Sequence, residues 1–253
     1  MNTYSAFIRL LRTDFRNVRT QLLYTLSIYA IVHAVFLLLI DRLSFSEYEV
    51  WFTVVNAMTG GSALVSTLVI SMTIWASEWK GGQHLLLLTL PIHRGWVYLS
   101  KVLVALMTGT VLLGVFVLLF MLEARTAFGV PTISDVLSLA PRGAIFTNLF
   151  ALVTIVLLGS FSFLLGKAVR RASGFVTFAT FVLLLNAPTM LSFMLADRGG
   201  VIQSVVGLPG STLFLTVDNV TTVYVALPLA VNAALSVLYV LGSIYLLNRR
   251  VQS

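Results

Sequence analysis

The chain has 253 residues, of which 58% are apolar and only 10% charged, against roughly 25% charged in a typical soluble domain. That balance excludes a solvated globular enzyme, a disordered chain and a nucleic-acid-binding domain. The net charge of +7 fits a membrane protein whose few charges are unevenly distributed. With no cysteine in the sequence, disulfides, thiolate metal sites and cysteine nucleophiles are excluded as well.

The first element is a basic amphipathic helix over residues 3–21. Arg9, Arg12, Arg16 and Arg19 recur at spacings of three and four, which places them on one helical face. Phe7, Leu10, Leu11, Phe15, Val18 and Leu22 fill the other side. Such a helix is expected to lie in the membrane interface with its arginines toward anionic headgroups.

Stretches free of Asp, Glu, Lys and Arg follow at 20–40, 50–77, 102–122, 143–166, 172–196 and 219–248. A hydrocarbon core about 30 Å thick needs about 20 apolar residues of helix, and only a helix satisfies its backbone within one isolated segment. Six transmembrane helices are therefore expected, near 22–40, 52–76, 102–122, 143–165, 174–196 and 222–247. The fold class is an all-α integral membrane protein with one transmembrane domain over 1–253. A seventh uncharged stretch, 199–217, is broken by Gly207, Pro209 and Gly210 and reads as a re-entrant or surface element, not a span.

Orientation follows from the Lys/Arg distribution. With the N-terminus in the cytoplasm, twelve Lys/Arg fall inside and four outside, and of the nine acids only Asp14 and Glu78 fall inside. Both termini are expected in the cytoplasm of a multi-pass protein of the cell membrane.

Polar residues line two spans. In the second, Asn56, Thr59, Ser66 and Thr67 follow one face; in the fifth, Asn186 and Ser192 flank Pro188. These are candidates for a substrate pathway or for helix packing. His33 is the one ionisable group other than tyrosine near the middle of a span, and is expected to be a packed, neutral histidine. No Asp, Glu, Lys or Arg occupies the central stretches, which argues against an ion relay.

The segment 78–94 between spans two and three is the most unusual. It runs Glu78, Trp79, Lys80, two glycines Gly81 and Gly82, Gln83, His84, the leucines Leu85 to Leu88, then Thr89, Leu90, Pro91, Ile92, His93 and Arg94. The apolar run is too short to span, and Pro91 disfavours helix at Leu90 while being able to begin the next helix. A short helix, a kink and a helix leading into span three are expected.

On these residues the chain resembles the membrane subunit, or permease, of type-2 ATP-binding-cassette exporters. Glu78, Gly81/Gly82, Leu90-Pro91, Arg94 and Lys101 match that family's pattern in order and spacing, with Gln83 and His93 as departures from the usual Thr and Ser/Thr. The resemblance implies that 78–94 is a coupling helix docking on a separate ATPase subunit through Glu78, Gly82, Gln83, Leu87, Leu88, Leu90, Pro91 and Arg94. It also implies a re-entrant element between spans five and six. The chain itself has no phosphate-binding loop of the Gly-x-x-x-x-Gly-Lys-Ser/Thr type. ATP and Mg are accordingly expected in the partner, with no cofactor, metal or catalytic residue here.

The expected function is thus a non-enzymatic permease subunit, paired with a second permease and with ATPase subunits in the bilayer, and binding no nucleic acid. It would export an amphipathic or hydrophobic substrate, a peptide or antibiotic by family resemblance, through alternating access. The competing readings are a secondary transporter or channel and, further off, an intramembrane enzyme.

Overall fold

The structure is a computed structural model that describes residues 3–39, 45–80, 94–128, 142–169, 172–198 and 221–249. Among them the chain is all helical. Six helices follow in order: α1 (Thr3–Leu39), α2 (Phe45–Lys80), α3 (Arg94–Phe128), α4 (Arg142–Ala168), α5 (Ser173–Arg198) and α6 (Thr221–Arg249). Five contain stretches long and apolar enough to cross a membrane: Ser5–Leu39, Val50–Trp79, Arg94–Glu123, Leu149–Ala168 and Val231–Asn248. In α5 the apolar portion, Ser173–Ala187, is shorter. The protein is therefore a multi-pass membrane protein by the length and composition of its helices. The expected coupling residues Gly82, Gln83, Leu87, Leu88, Leu90 and Pro91, and the 199–217 element, lie outside the described residues.

The basic segment 3–21 and the first span are not separate elements. They form one uninterrupted helix of 37 residues, about 55 Å at 1.5 Å per residue. The sequence explains this continuity, because no glycine or proline occurs between Thr3 and Leu39.

Hydroxyl side chains are accommodated locally. Thr13, Thr25, Ser27, Thr73 and Thr110 each donate to the carbonyl four residues earlier. A hydroxyl bonded to its own helix leaves no unpaired donor facing hydrocarbon, so these residues do not interrupt the spans.

The chain divides into two compact units, residues 1–156 and 157–253, with the boundary inside α4. In the first, α1 and α2 pack against α3 and against each other. The buried face of α1 carries Ala6, Asp14, Val18, Leu22, Tyr29, His33 and Phe36, at helical spacing throughout. That of α2 carries Asn56, Thr59, Ala63, Thr67, Ile70, Ser71, Ile74, Trp75 and Glu78. Gly109 of α3 marks a close approach: a Cβ there would stand 2.6 Å from Leu152 Cδ1 and 2.7 Å from Thr67 Cγ2. Small residues at such crossings let helices approach closely without an apolar driving force from the surrounding lipid.

In the second unit α5 packs on α6. Phe161 stacks on Tyr239 with ring centres 5.6 Å apart, and Gly242 leaves room for that ring. The end of α4 is closed by Val169 N–H donating to the Gly166 carbonyl at 3.2 Å. A Cβ at Gly166 would overlap Thr177 and the Ser173 carbonyl, so the packing of α5 on the last turn of α4 requires glycine there.

Candidate functional site

The first unit buries two clusters of ionisable side chains, each drawing on α1, α2 and α3. The larger is centred on Lys101, in the second turn of α3 and 1% exposed. Its ammonium pairs directly with Glu78 at the end of α2 and lies 3.3 Å from Asp14 Oδ1 on α1. Ser100 donates to the other Asp14 oxygen at 3.1 Å. The Trp75 ring centre lies 5.2 Å from the ammonium, adding a cation–π attraction. Trp75 is packed in turn against Tyr98 and Trp79.

Taking an amine and two carboxylates out of water costs several kcal/mol per ion. It is offset here because each charge has an opposite partner and further hydrogen-bonding or aromatic contacts. The cluster ties three helices together at one end of the unit. Arg9, Arg12, Arg16 and Arg19 lie at the same end, and all four are exposed. They occupy the side of α1 away from Asp14, so a single helix presents a basic outer face and an acidic inner one.

The second cluster pairs His33 of α1 with Glu123 of α3, both fully buried. His33 Nδ1 lies 2.5 Å from Glu123 Oε1. Asn56 of α2, 8% exposed, donates its amide to Glu123 Oε2 at 2.9 Å and to the Phe52 carbonyl at 2.9 Å. Both partners are acceptors, which assigns the amide nitrogen without ambiguity.

The clusters are separated by 19 residues along α1 (Asp14 to His33) and 22 along α2 and α3 (Asn56 to Glu78, Lys101 to Glu123). At 1.5 Å per residue this is roughly 28–33 Å, close to the thickness of a hydrocarbon core. The charge-free stretch 102–122 is thus bounded by two buried ionisable side chains, Lys101 and Glu123.

The structure places the expected site residues as follows. Glu78 is 7% exposed and its carboxylate is held by Lys101. Arg94 is half-buried. His33 is packed, as expected, and its Nδ1 is also paired with the Glu123 carboxylate. Thr59 and Thr67 are buried, but their hydroxyls donate within α2, to the Val55 and Ala63 carbonyls. Besides Asn56, Ser62 and Ser71 of the same helix make bonds that cross between helices: Ser62 donates to the Tyr29 hydroxyl at 2.9 Å, and Ser71 to the Val156 carbonyl at 3.3 Å. Ser66 is half-buried. Asn186 is half-buried and bonds its own helix at Val182. The side chain of Ser192 lies outside the described residues.

Sequence reasoning passed over Asp14, Ser100 and Glu123. Two of them carried a signal. Asp14 is the one acid within an arginine-rich helix, in register with Val18 and Leu22, and Glu123 directly ends an apolar run.

Among the described residues no group of three or more His, Cys, Asp or Glu side chains is placed to hold a metal ion. Comparisons with protein-family models, with curated proteins and with solved structures found no match.

Proposed function

We propose that the chain is the permease subunit of an ATP-driven exporter. It would work as one of two membrane subunits with separate ATP-binding-cassette ATPases and move an amphipathic or hydrophobic substrate, a peptide or antibiotic, by alternating access. In this reading all six helices cross the cell membrane, both termini are cytoplasmic, and the exposed arginines of α1 face anionic headgroups at that surface.

The observation that carries the reading is the Glu78–Lys101–Asp14 cluster. It joins the end of α2, the start of α3 and the cytoplasmic part of α1 on either side of the segment 78–94. A displacement of that segment by an ATPase would be passed to three helices at once, because their ends are held by buried, paired charges. Glu78 then acts by anchoring the segment, while Gln83, Leu87, Leu88 and Leu90 make the contact. Burying one leucine is worth roughly 1.5–3 kcal/mol, so four in a row, Leu85 to Leu88, favour a covering partner.

The test is co-purification with a P-loop ATPase encoded beside this chain, comparing the natural sequence with Leu87→Glu/Leu88→Glu. The proposal expects a membrane-inserted variant that retains less ATPase and shows reduced substrate-stimulated hydrolysis. Unchanged assembly, hydrolysis and transport would overturn it. Uptake driven by an ion gradient in vesicles holding only this chain would establish a secondary transporter instead.

A further inference from the structure

Helix α1 stays beside α3 over most of its length. Phe7 meets Trp96 with ring centres 5.2 Å apart, Asp14 accepts from Ser100 at 3.1 Å, and His33 meets Glu123 at 2.5 Å. The two helices advance together through all three contacts. The basic part of α1 therefore does not turn into the membrane plane while α3 crosses it, and its arginines stand at different depths. From Arg9 to Arg19 is about 15 Å along the helix.

The same contacts give those depths a scale. Counted from Asp14 and Ser100, Arg19 is level with Ala105 of α3; counted from Glu123 and His33, Arg125 is level with Val35 of α1. Arg19 and Arg125 are both exposed. The charge-free band between their levels is about 24 Å on α1 and about 30 Å on α3. A hydrocarbon core about 30 Å thick fills or exceeds that band. Arg19 thus sits at the edge of the core, and Arg16, about 4.5 Å farther along the helix, sits at headgroup level. Arg9 and Arg12 stand farther out.

Arg16 and Arg19 are one turn apart on one face, and both are exposed. Among the described residues no acid pairs with either, because Asp14, the one acid of α1, is engaged on the inner side by Ser100 and Lys101. Beyond Arg19 the exposed side of α1 continues as Leu23, Tyr24 and Ile28. A pair of unpaired guanidiniums at the edge of the core, followed by an exposed apolar row, matches a phosphate followed by acyl chains.

We propose that Arg16 and Arg19 form a binding site for one anionic phospholipid of the leaflet on the N-terminal side. Their guanidiniums hold its phosphate by charge-assisted hydrogen bonds, and its chains lie along Leu23, Tyr24 and Ile28. A lipid of net negative charge is selected over a zwitterionic one because repulsion among the neighbouring arginines is relieved only by an uncompensated anion. The site rests on the membrane placement of α1 and not on coupling to an ATPase.

The experiment uses the full chain, purified alone in detergent, with bound lipid titrated by native mass spectrometry. The probes are dioleoyl phosphatidylglycerol and dioleoyl phosphatidylcholine, which share chains and a phosphate but differ in net charge. The natural sequence should retain phosphatidylglycerol about tenfold more tightly. Arg16→Gln/Arg19→Gln should remove most of that preference, whereas Arg9→Gln/Arg12→Gln, which deletes the same charge, should change it by less than about threefold. Equal retention of the two lipids overturns the proposal. So does an equal loss in the two double variants, the mark of a diffuse basic surface, or displacement of the lipid by inorganic phosphate, the mark of a site for a free anion. The lipid comparison needs no substitution, so it decides even where a variant does not fold. No ATPase is present, so failure here leaves the coupling reading standing, and failure of that reading leaves this site standing.

Discussion

Glu78 and Lys101 are 23 positions apart, yet their side chains pair directly inside the protein, joining the end of α2 to the start of α3 across residues 81–93. Among the described residues Lys101 pairs with two buried acids, Glu78 and Asp14. Removing it leaves two carboxylates buried without a cation. Lys101→Met should cost about 3–5 kcal/mol, seen as a large fall in melting temperature in detergent. Adding Asp14→Asn and Glu78→Gln to it should recover much of that loss, since neutral groups carry no charge-burial penalty. A fall no larger than that of an exposed control such as Arg12→Gln would refute the pairing.

Two glycines of α3 make opposite predictions. At Gly109 a Cβ would meet Leu152 and the stiff, β-branched Thr67 at under 3 Å, whereas at Gly114 it would meet nothing within 4 Å. Gly109→Ala should destabilise by about 1–3 kcal/mol. Gly114→Ala should be neutral or stabilising by up to about 1 kcal/mol, through helix propensity alone. Equal effects in thermal unfolding would show that α3 does not cross α2 and α4 at Gly109.

Asn56 and Asn186 look alike in sequence, each a lone amide in an apolar helix. Asn56→Leu strips a hydrogen bond from the buried Glu123 carboxylate and should cost about 1–3 kcal/mol. Asn186 is half-buried and donates to the Val182 carbonyl of its own helix, so Asn186→Leu should fall within about 0.5 kcal/mol. Denaturation in the same detergent measures both, and a reversed order would contradict the assigned contacts.

A reporter active only in the cytoplasm, fused after Ser253, should give signal, because twelve of sixteen Lys/Arg lie on the side assigned to the N-terminus. Arg9→Gln, Arg12→Gln, Arg16→Gln and Arg19→Gln combined reduce the bias to eight against four and should produce a mixed orientation. Activity of an outside-only reporter on the natural sequence would reverse the topology.

The presence and order of the apolar helices were legible in the sequence, because a hydrocarbon slab imposes a minimum run of uncharged residues, but among the described residues five rather than six contain stretches long and apolar enough to cross. So was the buried face of α2, since Asn56, Thr59, Thr67 and Ser71 repeat at helical spacing. The exposure of Arg9, Arg12, Arg16 and Arg19 followed from the same periodicity. What the charged residues do was decided by tertiary structure alone. Lys101 counted as one more cytoplasmic base and Glu123 as the first residue past a span, yet both are fully buried. Their partners, Asp14 and His33, lie 87 and 90 positions away in sequence. Periodicity assigns a residue to a face of its own helix. Which charges then meet across helices depends on how α1 and α2 pack on α3, and no local pattern encodes that.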